Sequence, residues 1–166
     1  MLGNVQKELN AFAKYVISQS KANLTRSKKN SSKQLYNSLD SDLKVSENSF
    51  SLSFLMEDYG VFQDKGVSGV KKKYNTPYSY TTKMPPPSKM DKWIVRRGIA
   101  PRDDKGKFIS RKSLQFMIAR SIFNNGIKPS LFFTKPFKKA FKNLDKDIVK
   151  AFKLDVEQLL ETTINN

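Results

Sequence analysis

Glu57, Asp58, Asp64 and Lys65 come nearest in this chain to a catalytic grouping. Carboxylates so placed can hold a magnesium ion through oxygen ligands and activate a water for phosphodiester cleavage. Their spacing matches no nuclease motif, and acidic residues around a helix start ordinarily serve as cap and dipole partners, so no enzyme is expected. The residues that are missing exclude more. With no Cys and no His, the chain has no thiolate nucleophile, disulfide, imidazole base or Cys/His zinc site. None of its seven glycines falls in the spacing of a Walker or dinucleotide loop. Neither a cofactor nor a metal is expected.

The remaining chemistry is binding through charge. The chain carries 31 Lys and Arg against 15 Asp and Glu, a net of +16. Between Lys65 and Lys112 there are 14 basic and 3 acidic residues, so a net of +11 falls in residues 65–112. Such a field attracts a phosphate backbone or an acidic protein surface, and a Lys-rich solvated face also simply keeps a protein soluble. In the same region Tyr74, Tyr78 and Tyr80 stand among lysines and threonines. They can stack on nucleotides, or serve as strand residues or interface anchors; no RNA-recognition or OB pattern accompanies them.

The elements that must position these groups centre on Pro85–Gly126, which holds the one Trp and five of the six arginines. After three prolines, Ser88 is an expected N-cap with Asp91 three residues on, and Met90, Trp93 and Ile94 share a face that Gly98 terminates. A turn at Asp104-Lys105-Gly106 follows. Ser110 then caps a second helix with Leu114, Met117, Ile118, Ser121 and Ile122 at helical spacing, ended by Asn125-Gly126. The segment reads either as a helical hairpin packed on a core or as a docking arm. In the second reading Trp93, Ile94 and Phe108 are the apolar anchors. Arg96, Arg97, Arg102, Lys105, Lys107, Arg111 and Lys112 supply the charge-assisted bonds.

The flanks read as scaffold. Residues 2–22 form an amphipathic helix with Leu2, Val5, Leu9, Phe12, Ala13, Val16 and Ile17 on one stripe. After a basic loop, Ser31 or Ser32 caps a short turn containing Leu35, Tyr36 and Leu39. Leu43 and Val45, a turn at Glu47-Asn48-Ser49, and Phe50, Leu52, Phe54 and Met56 make a hairpin with one buried face. Glu57–Gly66 is a short helix or helical turn closed by Gly66, and Lys128–Phe133 is extended. From Thr134, with Pro136 in its first turn, a long helix runs to about Thr162. At 166 residues and 38% hydrophobic, one domain (1–166) is expected, with 67–127 a basic insertion. The fold class is α+β, with long N- and C-terminal helices packed on a small antiparallel β-sheet and a long basic helical and loop insertion. No apolar run approaches the roughly 18 residues of a membrane span, and the start lacks a signal core, so synthesis and use as a cytoplasmic product are expected.

The order of these elements resembles the neck, or tail-completion, proteins of tailed bacteriophages. In that family a threonine-glycine-x-leucine-x-x-serine segment precedes the first strand, onto which Leu35 and Ser38 fall. A tyrosine-x-x-phenylalanine-x-glutamate-x-glycine segment follows the hairpin, matched by Tyr59, Phe62 and Gly66. A proline-phenylalanine entry to the last helix is matched by Phe133, Pro136 and Phe137. The likeness covers both flanks, about two thirds of the chain. Ser32-Lys33 departs from the family's Thr-Gly, Asp64 stands where Glu is usual, and the segment from Val67 to Ile127 enlarges the minimal pattern. The resemblance implies a structural virion protein, a ring-forming head–tail connector subunit between portal-side and tail proteins around the DNA channel. Its implied partners are further copies of itself and other neck, portal or tail proteins, with genomic DNA passing the channel and no membrane. Sequence-independent DNA binding through residues 65–112 is the alternative.

Overall fold

The computed structural model describes residues 2–29, 31–46 and 49–164, the side chains of 162–164 excepted. It is α+β, with long terminal helices and one two-stranded antiparallel sheet. The chain divides into two compact units. The first comprises 1–27, 34–57 and 132–166; the second comprises 28–33 and 58–131. The basic insertion expected at 67–127 lies inside the second.

In the first unit, α1 (Gly3–Arg26) buries Val5, Phe12, Ala13, Val16, Ser20 and Leu24, steps of mostly three and four that keep one stripe inward. The helix outlasts its expected end by one turn because Leu24 continues that stripe. Ser20 is fully buried, and its hydroxyl is satisfied by donating to the Val16 carbonyl at 2.7 Å. Helix α2 (Gln34–Ser38) turns Leu35 inward, and Leu39 follows it into the same core.

Strands β1 (Asp40–Ser46) and β2 (Ser49–Leu55) pair antiparallel with Ser41 opposite Phe54, Leu43 opposite Leu52 and Val45 opposite Phe50. Alternation puts those six on one face, and burial along it fades toward the turn, so Val45, expected inside, is 51% exposed. Of the expected turn, Glu47 and Asn48 lie outside the described residues.

Helix α6 (Thr134–Ile164) closes the unit and runs antiparallel to α1. At one end Asn4 and Val5 meet Asp155; at the other the Asn23 amide donates to the Phe132 carbonyl at 3.1 Å. Phe132, Leu24, Leu35 and Leu39 form the buried centre. Beside them the Phe137 ring lies 5.7 Å from Phe12, 5.9 Å from Phe54, 5.7 Å from Phe133 and 5.6 Å from Phe141. Edge-to-face and stacked pairs of this kind add to simple burial, and they tie α1, β2 and α6 together.

The N-terminus of α1 is capped from a distance. Leu2 offers no capping side chain, so the free N–H groups of the first turn go elsewhere. Asp155, 5% exposed, accepts from Asn4 N at 2.9 Å, Val5 N at 3.0 Å and the Asn4 amide at 2.9 Å. Burial pushes the Asp155 carboxyl up, but these donated hydrogen bonds override it and hold the group below its ordinary range.

Candidate functional site

The second unit begins with α3 (Gly60–Lys65), stopped by Gly66 at φ 76° as the sequence predicts. Its two ends are laced together at the base. Val67 and Ile127 exchange backbone hydrogen bonds at 2.9 and 2.7 Å, and Leu131 N donates to Asp64 O at 2.9 Å. Gly126 (φ 72°, ψ −167°) is in a region that side chains avoid, and a Cβ there would run into the Val67 carbonyl and the Gly69 nitrogen. From this base the chain leaves as an irregular, tyrosine-rich segment and returns through the helices of the arm.

The arm is a 3-10 turn (Pro87–Met90) leading into α4 (Asp91–Arg97), and α5 (Arg111–Asn125). Ser88 does not cap α4, contrary to expectation: it lies inside the 3-10 turn that the fixed φ of Pro87 starts, and Met90 precedes the helix. Gly98 ends α4 in a left-handed conformation (φ 61°), and Ser110 caps α5 by accepting from Ser113 N at 3.2 Å, both as expected. In α5 Leu114 and Ala119 are buried, while Met117 (53% exposed) and Ser121 face out. The buried stripe is therefore rotated from the one read off the sequence.

Between the helices, Asp103 builds the turn. Its Oδ1 accepts from Lys105 N at 3.0 Å and Lys107 N at 2.8 Å, while Arg102 and Phe108 bridge across the base. The Arg102 guanidinium sits 3.8 Å from the centroid of the Phe108 ring and also donates to the Gly106 carbonyl at 2.7 Å. Arg102 is thus pre-set, with its charge held over an exposed ring.

The expected site residues do not all share one surface. Ile94 is 3% exposed, so it belongs to the core of the arm, where it forms part of a groove wall and does not project as an anchor. Trp93 is 40% and Phe108 58% exposed. Arg96, Arg97, Lys105, Lys107 and Lys112 are exposed, Arg97 donating to the Lys28 carbonyl. Arg111 Nε lies 3.8 Å from Asp91 Oδ1. Ile94, Phe108 and Arg111 line one groove of about 420 Å³ together with Val95, Ile99 and Leu114; Trp93 is not part of it. Val95, 55% exposed, was not read as a site residue, although an isoleucine and a valine side by side in a short basic helix cannot both face inward.

Electrostatics separates the units sharply. Residues 28–33 and 58–131 hold 19 Lys and Arg against 5 Asp and Glu, so they carry +14 of the +16 and the rest of the chain only +2. Every one of those cations is exposed except the half-buried Lys29, whose ammonium is pushed below its ordinary range by burial and by the charge of Lys128. Arg111 and Lys112 open α5, where positive charge works against the helix dipole. Arg111 is offset there by Asp91, 3.8 Å from its Nε, while the Lys112 side chain is exposed.

The tyrosines are largely committed. Tyr78 meets Phe62 edge-on at 4.7 Å, and Tyr80 lies 6.3 Å from Phe123 with its phenol pushed upward by burial. Tyr59, Phe62, Pro77, Tyr78 and Tyr80 line an apolar pocket of about 630 Å³. Tyr74 is outside that pocket, under the Lys72 ammonium at 5.7 Å.

Among the described residues no three acidic, His or Cys side chains gather to hold a metal. Glu57 accepts from the Gln34 amide at 3.3 Å, and Asp64 is 4% exposed at the base of its unit. No helix among the described residues is long and apolar enough to cross a membrane. No protein-family model, curated protein or solved structure matches the chain.

Proposed function

We propose that this chain is a ring-forming structural subunit of a tailed-phage virion, a neck or head–tail connector protein. The observation that carries the reading is the segregation of charge: a helix–hairpin–helix frame of net +2 carries in its sequence an inserted unit of net +14 whose cations, Lys29 apart, are exposed. A subunit that must join several neighbours needs a rigid frame and a charged, partly apolar extension, since linked weak contacts add to a durable joint. The order of elements read from the sequence supports the same assignment, with Tyr59, Phe62, Gly66, Pro136 and Phe137 in the places the resemblance requires. In this reading the unit meets acidic protein surfaces of neighbouring subunits or of adjoining neck, portal and tail proteins. DNA passes through the channel without being held, because firm attachment to its backbone would resist passage.

Exposure of nearly all the cations in one unit also favours sequence-independent DNA binding, and salt separates the two. Light scattering at moderate and high salt, with and without duplex DNA, is the test. Self-association, or co-assembly with a portal-side ring, that persists at salt where DNA binding has vanished supports the connector. A monomer at every concentration whose DNA affinity falls steeply with salt overturns it in favour of the nucleic-acid reading.

A further inference from the structure

The end of α6 differs in character from the rest of the chain. Residues 154–164 read LDVEQLLETTI, with three carboxylates and no Lys or Arg in a protein of net +16. Asp155 is occupied in capping α1. Glu157 and Glu161 are exposed, Glu157 lying 3.9 Å from Lys153 across one helical turn. Glu161 lies one turn beyond Glu157, and Leu160, 54% exposed and three residues from Glu157, borders that acidic face on one side. Asn4, one residue into α1, reaches Gln158 at 3.3 Å, so α6 continues beyond the helix that covers its earlier turns.

An acidic helix tip with a leucine along its edge suits a basic, apolar recess. The arm supplies one: the groove of about 420 Å³ where Val95 and Phe108 lie half in solvent, with Arg111 on its wall and Arg96 and Arg97 following Val95 in α4. We infer that the last turns of α6 dock into the arm groove of a second copy of this chain, Leu160 entering between Val95 and Phe108 and Glu157 and Glu161 facing the arginines. The contact joins two different patches, so it is heterologous and repeats head to tail, which generates a closed ring when the rotation closes and a filament when it does not. This rests on the ring-subunit reading and names its joint.

The absence of native cysteine makes the test direct. Leu160→Cys chains and Val95→Cys chains are mixed, treated with a short bismaleimide and resolved on a denaturing gel, with far-UV circular dichroism confirming the fold of each. The expected result is a mixed covalent dimer exceeding either like-with-like dimer by about tenfold or more, the ratio that a modest preference in free energy produces. Glu157→Lys with Glu161→Lys in the first chain lowers that yield about tenfold, and adding Arg96→Glu with Arg97→Glu in the second restores it. A chain carrying both cysteines gives a ladder of multimers.

Equal yields of mixed and like dimers, or insensitivity to charge reversal, overturn the joint. A doubly substituted chain that links only within itself also overturns it, since tip and groove then meet in one copy. Unlinked chains that still scatter as rings remove the joint and leave the ring reading standing. Wild-type chains that stay monomeric at all concentrations and with portal-side partners remove both.

Discussion

Replacing Phe137 by Ala tests whether the aromatic centre holds the first unit together. The Phe137 ring contacts rings from α1, β2 and its own helix at 5.6–5.9 Å, and it is half-buried. A fully buried Phe→Ala change costs about 3–5 kcal/mol, so partial exposure places this one near the low end, about 3 kcal/mol. Phe141, 50% exposed with its 5.6 Å partner Phe137, should cost about 1 kcal/mol when truncated, close to the value of one ring pair. Phe137→Leu, which keeps apolar volume and loses ring geometry, belongs between the two, near about 1.5 kcal/mol.

The assay is urea unfolding followed by far-UV circular dichroism, dominated by α1 and α6. In parallel, fluorescence of Trp93, the one tryptophan, reports the second unit separately. On a stability scale of about 5–15 kcal/mol, a loss of 3 moves the dichroism midpoint well outside error. Equal costs for Phe137→Ala and Phe141→Ala, or a Phe137→Ala cost under about 1 kcal/mol, would refute the packing argument.

Four further outcomes are expected. Asp155→Asn weakens α1's cap and removes an acid-sensitive contribution. Because the folded carboxyl titrates below its unfolded value of about 3.9, that contribution is present above this pH and is lost as pH falls through the folded value, so wild type and variant should converge in acid melts. Gly126→Ala forces a Cβ into the Val67 carbonyl at positive φ and should cost the second unit about 3 kcal/mol, read as an earlier Trp93 transition. Trp93→Ala and Arg97→Glu should leave far-UV spectra unchanged while weakening assembly, measured by light scattering; loss of fold in either would return these residues to the scaffold. Duplex DNA binding by the purified chain, if present, should fall by orders of magnitude between about 50 and 200 mM salt, checked by anisotropy.

Much of the frame was legible because its signals are periodic. The stripe of α1, the alternation of β2 and the stops at Gly66, Gly98 and Gly126 all follow from local geometry; along α6 the helical spacing of Phe141, Phe152, Leu159 and Leu160 predicts an inward stripe, yet all four are half exposed. What escaped is what depends on distant partners. Nothing near Leu2 announces that its helix is capped by Asp155, about 150 residues away, and Asp155 itself reads as an ordinary surface acid. The short arm helices were found, but not which way they turn. In seven residues of α4 the apolar stripe is too brief to choose between Trp93 and Ile94, and it is Ile94 that is buried. The charge bias of residues 65–112 was visible, whereas its extension to +14 over a whole unit required the loop 28–33 to be brought beside the arm, where Lys28 accepts from Arg97.

Negative-stain electron microscopy of the purified chain, alone and mixed with portal-side assemblies at moderate and high salt, bears most directly on the central claim. Closed rings of uniform diameter with an open centre, persisting at high salt, are what a connector subunit requires. Isolated monomers under all of these conditions, coating added DNA at low salt and leaving it at high salt, would contradict the account.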